Sequence, residues 1–200
     1  TADARKILSL RSRIKEAAKT TNTSNITLND IICYAVIRAL RKEPEINAHF
    51  LGDRIRSFRK VHLGIAVDTD RGLMVPVLKN ADDFGLEGLS ERLKNLALKC
   101  QQGKIEPELL ASEQGSFTVS NLGAYGIEMF TPVLNLPQGG ILGVNTIHHQ
   151  PRDLGDGTIG FIPVLGLSLT YDHRLIDGAP ASRFLKTIKD SIENFESDLF

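Results

Sequence analysis

The stretch Ser168-Leu-Thr-Tyr-Asp-His-Arg-Leu-Ile-Asp-Gly-Ala179 runs from an apolar strand pattern into a dense polar cluster and then into a helix. Asp172, His173 and Arg174 are three ionisable groups in a row, followed by Asp177 and Gly178. Packing alone explains such a strand end poorly, and titratable groups gather at functional sites. Two structural readings stand beside function: a surface ion pair between Arg174 and Asp177, and a histidine satisfied within its own turn. Gly178 reads as the residue that lets the chain turn from strand to helix. No metal is expected, because one imidazole and a nearby carboxylate fall short of the three protein ligands of catalytic zinc. His148-His149 adds two imidazoles, but adjacent strand residues point to opposite faces, so the pair reads as loop-edge histidines.

Outward from that stretch, the second half of the chain reads as strands at 116–120, 140–147 and 160–170, with Asp156-Gly157 turning between the last two. A final helix carries Phe184, Leu185, Ile188, Ile192 and Phe195 on one face. In the first half, Ile7, Leu10, Ile14 and Ala17 recur at helical spacing. After a polar loop at 20–25, the stripe Leu28, Ile31, Ile32, Ala35, Ala39 and Leu40 predicts a second helix ending before Pro44. Segments 46–50 and 54–58 flank Gly52-Asp53 as a hairpin, and 61–67 and 73–77 flank the turn Asp68-Thr-Asp-Arg-Gly72 as another. Leu86, Leu89, Leu93, Leu96 and Ala97 mark a third helix, closed near Gly103. The order predicts an α/β fold, a mixed β-sheet with packed helices, as one domain over residues 1–200.

Apolar residues at 42% and charged residues at 24% exclude a disordered chain. Lysine plus arginine and aspartate plus glutamate stand at 24 each, so no global field draws the chain to nucleic acid or to an anionic membrane. The same balance does little to oppose self-association. No apolar run reaches the ~20 residues that cross a bilayer. Cys33 and Cys100 lie on apolar helix faces in no metal-type spacing and read as reduced core thiols. Residues 1–15 contain no signal-peptide apolar region, so any targeting information is expected upstream.

Asp172 to Gly178 is similar to the Asp-His-Arg-x-x-Asp-Gly signature of the 2-oxo acid dehydrogenase acyltransferases. The shorter His-x-x-x-Asp-Gly form is shared with chloramphenicol acetyltransferase and condensation domains. Phe117-Thr-Val-Ser-Asn-Leu-Gly123, Thr131-Pro-Val-Leu-Asn-Leu-Pro-Gln138 with Ile141-Leu-Gly143, and Gly64-Ile-Ala-Val67 with Gly72-Leu-Met-Val-Pro-Val77 resemble further family segments, in the same order. Leu28-Asn-Asp-Ile31 and Pro44-Glu-Ile-Asn-Ala48 resemble earlier markers, so the likeness spans nearly the whole chain. Leu136 departs from the family's usual proline, and Gly139-Gly140 from larger small residues. The family's opening strand and basic helix, its lipoyl domain and its peripheral-subunit-binding domain are expected to be missing from this chain.

The resemblance implies a chloramphenicol acetyltransferase-like sandwich that moves an acyl group between S-acyldihydrolipoamide and coenzyme A, with both as substrates and no metal. That reaction poses two problems. A thiol of pKa ~8.5 is only a few per cent thiolate at neutral pH, and the tetrahedral intermediate places charge on the former carbonyl oxygen. The resemblance assigns His173 as the base and Ser120 as the donor to the oxyanion. It assigns Asp177, at a position that tolerates asparagine, to fixing the loop around the histidine. The other reading of Ser120 is a strand-end serine bonded to backbone.

The resemblance also implies a homotrimer whose sites lie between subunits, His173 from one and Ser120 from the next. Coenzyme A and a lipoyl-lysine domain would enter from opposite ends of one channel. Trimers would build a larger core that binds the other dehydrogenase complex subunits. Leu199 and Phe200 are expected to plug into a neighbouring trimer, the other reading being a frayed tail. The expected compartment is the bacterial cytoplasm, ahead of the mitochondrial matrix. Ser120-Asn121-Leu122-Gly123 resembles acetyl-transferring more than succinyl-transferring members, with branched-chain transfer open. A catalytically silent core subunit and an independent transferase for a small acceptor are the alternatives.

Overall fold

The computed structural model describes residues 1–20, 25–155 and 157–196. The plug expected at Leu199 and Phe200, the turn position Asp156 and most of the 20–25 loop lie outside the described residues.

A central helix organises the rest. The Thr27 side chain accepts from the Asp30 amide at 3.2 Å, and the Asp30 carboxylate accepts from the Thr27 amide at 2.8 Å. This reciprocal cap starts helix α2 (Leu28–Lys42), which follows helix α1 (Arg5–Thr20). Ser90 donates to the same buried carboxylate at 2.8 Å, tying in helix α3 (Leu86–Gln101). Pro44 bars a helical conformation at Glu43, where α2 ends at φ −121° and ψ 72°. Ile31, Ile32, Cys33, Ala35, Val36, Ile37, Ala39 and Leu40 are all buried, so α2 is enclosed nearly all round. It packs against α1, α3 and helix α4 (Gly178–Glu193).

These helices cover one face of a six-stranded mixed sheet. In spatial order the strands are β1 (Ala2–Asp3), β10 (Ile159–Tyr171), β9 (Gly140–Asp153), β8 (Phe117–Asn121), β4 (Leu63–Ile65) and β7 (Val77–Leu78). β8 runs parallel to both β9 and β4, and the other pairs are antiparallel. Phe117 meets Phe184 of α4 edge-on, with ring centroids 5.4 Å apart, in a core that also holds Val119, Leu142, Val144, Leu165, Ile188 and Ile192. Cys33 and Cys100 are buried free thiols, as expected, and burial raises the pKa of both.

The first predicted hairpin forms as β2 (Ala48–Phe50) and β3 (Ile55–Ser57), with Gly52 in the left-handed region at φ +85°. The second differs from expectation. It splits into β4–β7 within the main sheet and a separate ribbon of β5 (Val67–Thr69) and β6 (Gly72–Met74). Pro76 accepts from the Ile65 amide at 3.1 Å but has no amide to return, so the ladder is interrupted there, while the Ala66 amide donates to the Val119 carbonyl of β8 at 2.9 Å. β1 was not foreseen, because two residues carry no periodicity. β9 extends past the predicted 140–147, which corrects the reading of His148 and His149. They lie inside the strand opposite Val164 and Pro163, the first half-buried and the second exposed. Gly178 also differs: it opens α4 without a left-handed backbone, and an added Cβ would meet only Tyr171 Oη at 3.5 Å.

His49 on β2 is buried, with Nε2 2.6 Å from the Gly115 carbonyl oxygen and its ring edge-on to Phe58. His62 meets the same phenyl ring edge-on, and its Nδ1 accepts from the Asn80 amide at 3.1 Å. Burial pushes both pKa values down, with Lys79 adding to the effect at His62. Depressed histidines oppose folding once the unfolded chain binds the protons that the native state refuses. Stability should therefore fall as pH drops below about 6.5 towards the folded-state values. Urea midpoints measured between pH 7.5 and 5.5 should decline, and His49→Gln should flatten the slope.

Candidate active site

β10 ends at Tyr171, and the chain turns through 172–176 before α4. Asp172 is buried and anchors that turn. Its amide donates to the Gly139 carbonyl at 3.0 Å, and its own carbonyl accepts from Leu175 and Ile176 at 2.9 and 3.2 Å. Its carboxylate accepts from the Arg174 amide at 3.0 Å, from Nε at 2.9 Å and from the terminal guanidinium nitrogen at 2.7 Å. The bidentate Arg174 holds the Asp172 carboxyl below the usual carboxylate range. Arg174 therefore pairs with Asp172, not with Asp177 as one reading of the sequence had it.

This grip leaves His173 projecting. Its side chain is 69% exposed, and its ring lies 5.6 Å from that of Tyr171, tilted by 39°. Asp177 is the residue before α4, yet its side chain makes no capping hydrogen bond. Its carboxylate oxygen is 3.6 Å from His173 Nδ1, beyond hydrogen-bond length but within reach after a small ring rotation.

Ser120 lies near the far end of β8, half-buried, opposite Gly143 of β9. Its hydroxyl makes no hydrogen bond to another described residue. An added Cβ at Gly143 would come within 2.9 Å of Phe130 Cζ and 3.1 Å of Pro132 Cδ, so the loop after β8 lies close over this spot. Gly140 is similarly tight, 2.7 Å from Phe117 Cε2 by the same measure, which accounts for glycine there. The loop exposes Tyr125, Met129, Val133 and Leu136, with Met129 at 82% and Val133 at 86%.

Alternation along β8 sends Ser120 to the face without helices and Asn121 to the helical face, where it donates to Asn29 of α2 at 2.9 Å. A cavity of about 560 Å³, lined in part by Arg11, Asn29, Ile32, Asn121 and Asn145, lies beside Asn121. No sequence signal marked it, because its walls come from α1, α2, β8 and β9 at once.

The sheet register separates the two expected catalytic groups. Gly143 pairs with Ser168, whereas Tyr171 pairs with Gly140. His173 thus leaves the end of β10 that lies beside the start of β8, while Ser120 sits near the finish of β8. Two strand spacings across and several residues along put them on the order of 15 Å or more apart within one chain.

With this geometry in hand, likeness to known proteins becomes informative. Residues 1–200 match the family described as 2-oxoacid dehydrogenases acyltransferase (catalytic domain), and the chain belongs to that family. It is 42% identical over 205 residues to the dihydrolipoyllysine-residue acetyltransferase component of the pyruvate dehydrogenase complex of Mycobacterium bovis, covering 98% of this chain and 37% of that protein. It is also 37% identical to the dihydrolipoyllysine-residue succinyltransferase component of the 2-oxoglutarate dehydrogenase complex of Escherichia coli K12, covering 94% of this chain and 46% of that protein. The chain thus spans less than half the length of either relative. Among solved structures, the dihydrolipoamide acetyltransferase of Azotobacter vinelandii superposes with a TM-score of 0.88 at 33% identity, covering 96% of this chain and 79% of that one. That enzyme was investigated for the roles of a serine, a histidine and an asparagine in its catalytic mechanism. The fold is the acyltransferase sandwich that the resemblance implied.

The Asp172 clamp carries a stability prediction. Asp172→Asn removes a charge-assisted pair and should cost about 1–3 kcal/mol in urea unfolding. A depressed carboxyl stabilises above its unfolded pKa of about 3.9 and loses that contribution as pH falls towards the folded value. Wild type should therefore lose stability more steeply than Asp172→Asn below about pH 4.

Proposed function

We propose that this chain is the catalytic core of a dihydrolipoamide acyltransferase, exchanging an acyl group between S-acyldihydrolipoamide and coenzyme A at sites formed between neighbouring copies. The observation that carries the reading is an exposed His173 on a turn clamped by Asp172, together with a Ser120 hydroxyl left unbonded among the described residues. The distance between them within one chain favours a site completed by a second copy. So does the exposed apolar loop at 125–136, which has the character of a surface awaiting a partner.

Nε2 of His173, the ring nitrogen away from Asp177, takes the proton of the coenzyme A thiol as sulfur attacks the thioester carbonyl. Ser120 of the neighbouring copy donates its hydroxyl hydrogen bond to the oxyanion. Collapse breaks the bond to the lipoyl sulfur, and the imidazolium returns its proton to that departing thiolate. Asp177 meets Nδ1–H and steadies the imidazolium. In the Azotobacter enzyme the histidine and asparagine stand four positions apart, as His173 and Asp177 do here. That supports an orienting carboxamide or carboxylate, not a second base.

The acyl group is acetyl in this reading, supported by the Ser120-Asn121-Leu122-Gly123 segment and by the acetyltransferase relative. The lipoyl group arrives on a lipoyl-lysine domain outside these residues. Trimers join into a larger core bound by the other dehydrogenase subunits, in the bacterial cytoplasm or the mitochondrial matrix. No helix among the described residues is long and apolar enough to cross a membrane.

Coenzyme A-dependent transfer to dihydrolipoamide, measured on the assembled full-length protein, tests the roles. His173→Ala should lower kcat by ~10²–10⁴ and Ser120→Ala by ~10²–10³, with Asp177→Asn within about tenfold of wild type. Wild type and His173→Ala equally inactive would point to a silent core subunit. Acetyl-coenzyme A should turn over faster than the isobutyryl or succinyl thioester, and the reverse order would reassign the acyl group.

A further inference from the structure

The His173 ring itself has little holding it. Among the described residues, its Nδ1 lies 3.6 Å from the Asp177 carboxylate, beyond hydrogen-bond length, its ring tilts against that of Tyr171, and its side chain is mostly in solvent. Its position is therefore inherited from the backbone turn, which Asp172 and Arg174 close. The guanidinium that completes the clamp has a second surface: Arg174 Cζ lies 4.2 Å from the centroid of the Phe50 ring. A planar cation over an aromatic face is attracted by the ring's negative face, and the stack also limits where the guanidinium can swing.

Phe50 belongs to the β2–β3 hairpin, far from the catalytic motif in sequence. The same hairpin grips the segment on which the turn rests. The Phe50 amide donates to the Pro137 carbonyl at 3.1 Å, and the Gly139 amide donates to the Ala48 carbonyl at 2.8 Å. Gly139 in turn accepts from the Asp172 amide. The hairpin thus reaches the turn by two routes, one through backbone and one through the Phe50–Arg174 stack.

We infer that Phe50 is a positioning residue for His173, acting through Arg174 and Asp172 to fix the turn that aims the imidazole. The inference rests on the acyltransferase reading for its kinetic test. Of the two routes, only the aromatic one depends on a side chain, so substitution at Phe50 separates it from the backbone ladder. Phe50 is half-buried, and leucine preserves most of the apolar contact while removing the ring face.

The experiment measures kcat and KM for coenzyme A in the assembled full-length protein, with Phe50→Leu, Phe50→Tyr, Arg174→Lys and the double variant Phe50→Leu/Arg174→Lys. Misplacing a catalytic group by a fraction of an ångström to 1 Å should lower kcat about ten- to a hundredfold in Phe50→Leu, leaving KM within about twofold. Phe50→Tyr, which keeps the ring face, should restore kcat. The double variant should be no slower than the slower single one, since both break the same contact. Wild-type kcat per folded Phe50→Leu protein, losses that multiply in the double variant, or failure of Phe50→Tyr to rescue would each overturn the inference. If wild type itself transfers no acyl group, the acyltransferase reading has failed separately. The histidine Cε1–H resonance that disappears in His173→Ala then decides: it should move in Phe50→Leu and return in Phe50→Tyr. An unmoved resonance in Phe50→Leu rules positioning out.

Discussion

Strand β9 pairs parallel with β8 and antiparallel with β10, and this single register governs what the molecule can do. It sends the turn after β10 to the end of the sheet where β8 begins, and leaves Ser120 near where β8 finishes. No side-chain rotation recovers a gap on the order of 15 Å. In the proposed reaction, which uses both groups, the serine therefore comes from a second copy of the chain. The apolar loop over Gly143 fits the same reading, because Phe130 and Pro132 close over that glycine while their neighbours Met129 and Val133 stay exposed.

The helices work on the opposite face. α2 is buried nearly all round because Thr27 and Asp30 cap it, Ser90 ties it to α3, and α4 closes over it through Phe184 and Ile188. Large apolar residues on that face set the strand positions. On the other face β8 presents Thr118, whose hydroxyl donates to buried Gln138 at 2.6 Å, and Ser120 beside Gly143. Stability and chemistry are thus divided between the two faces of one sheet. The division leaves small polar residues such as Ser120 outside the packed core.

Much of this was legible in the residues. The stripes from Leu28 to Leu40 and from Phe184 to Ile192 announced their helices, because burial on one side imposes a 3.6-residue period. Gly52-Asp53 announced its hairpin, and the Asp172 to Gly178 motif located the histidine turn. What escaped was set by neighbours distant in the chain. The division of the second hairpin between two sheets depends on β8 lying beside β4, where the Ala66 amide meets the Val119 carbonyl. The extension of β9 through His148 and His149 depends on β10 continuing beside it. Arg174 could pair with a carboxylate two residues back or three ahead. The tight turn, not the spacing, selected Asp172. The contact with Phe50 needed a hairpin more than a hundred positions upstream, which no local pattern encodes.

Mixed assembly tests the central claim most directly. His173→Ala and Ser120→Ala chains, each nearly inactive alone, are unfolded together in equal amounts, refolded as one pool and assayed for transfer from acetyl-coenzyme A to dihydrolipoamide. If each site takes its histidine from one copy and its serine from the next, about a quarter of the sites regain both groups, and activity should return to about that fraction of wild type. Activity that stays at the level of the separate variants, in mixed particles shown to contain both chains, would contradict a site shared between copies.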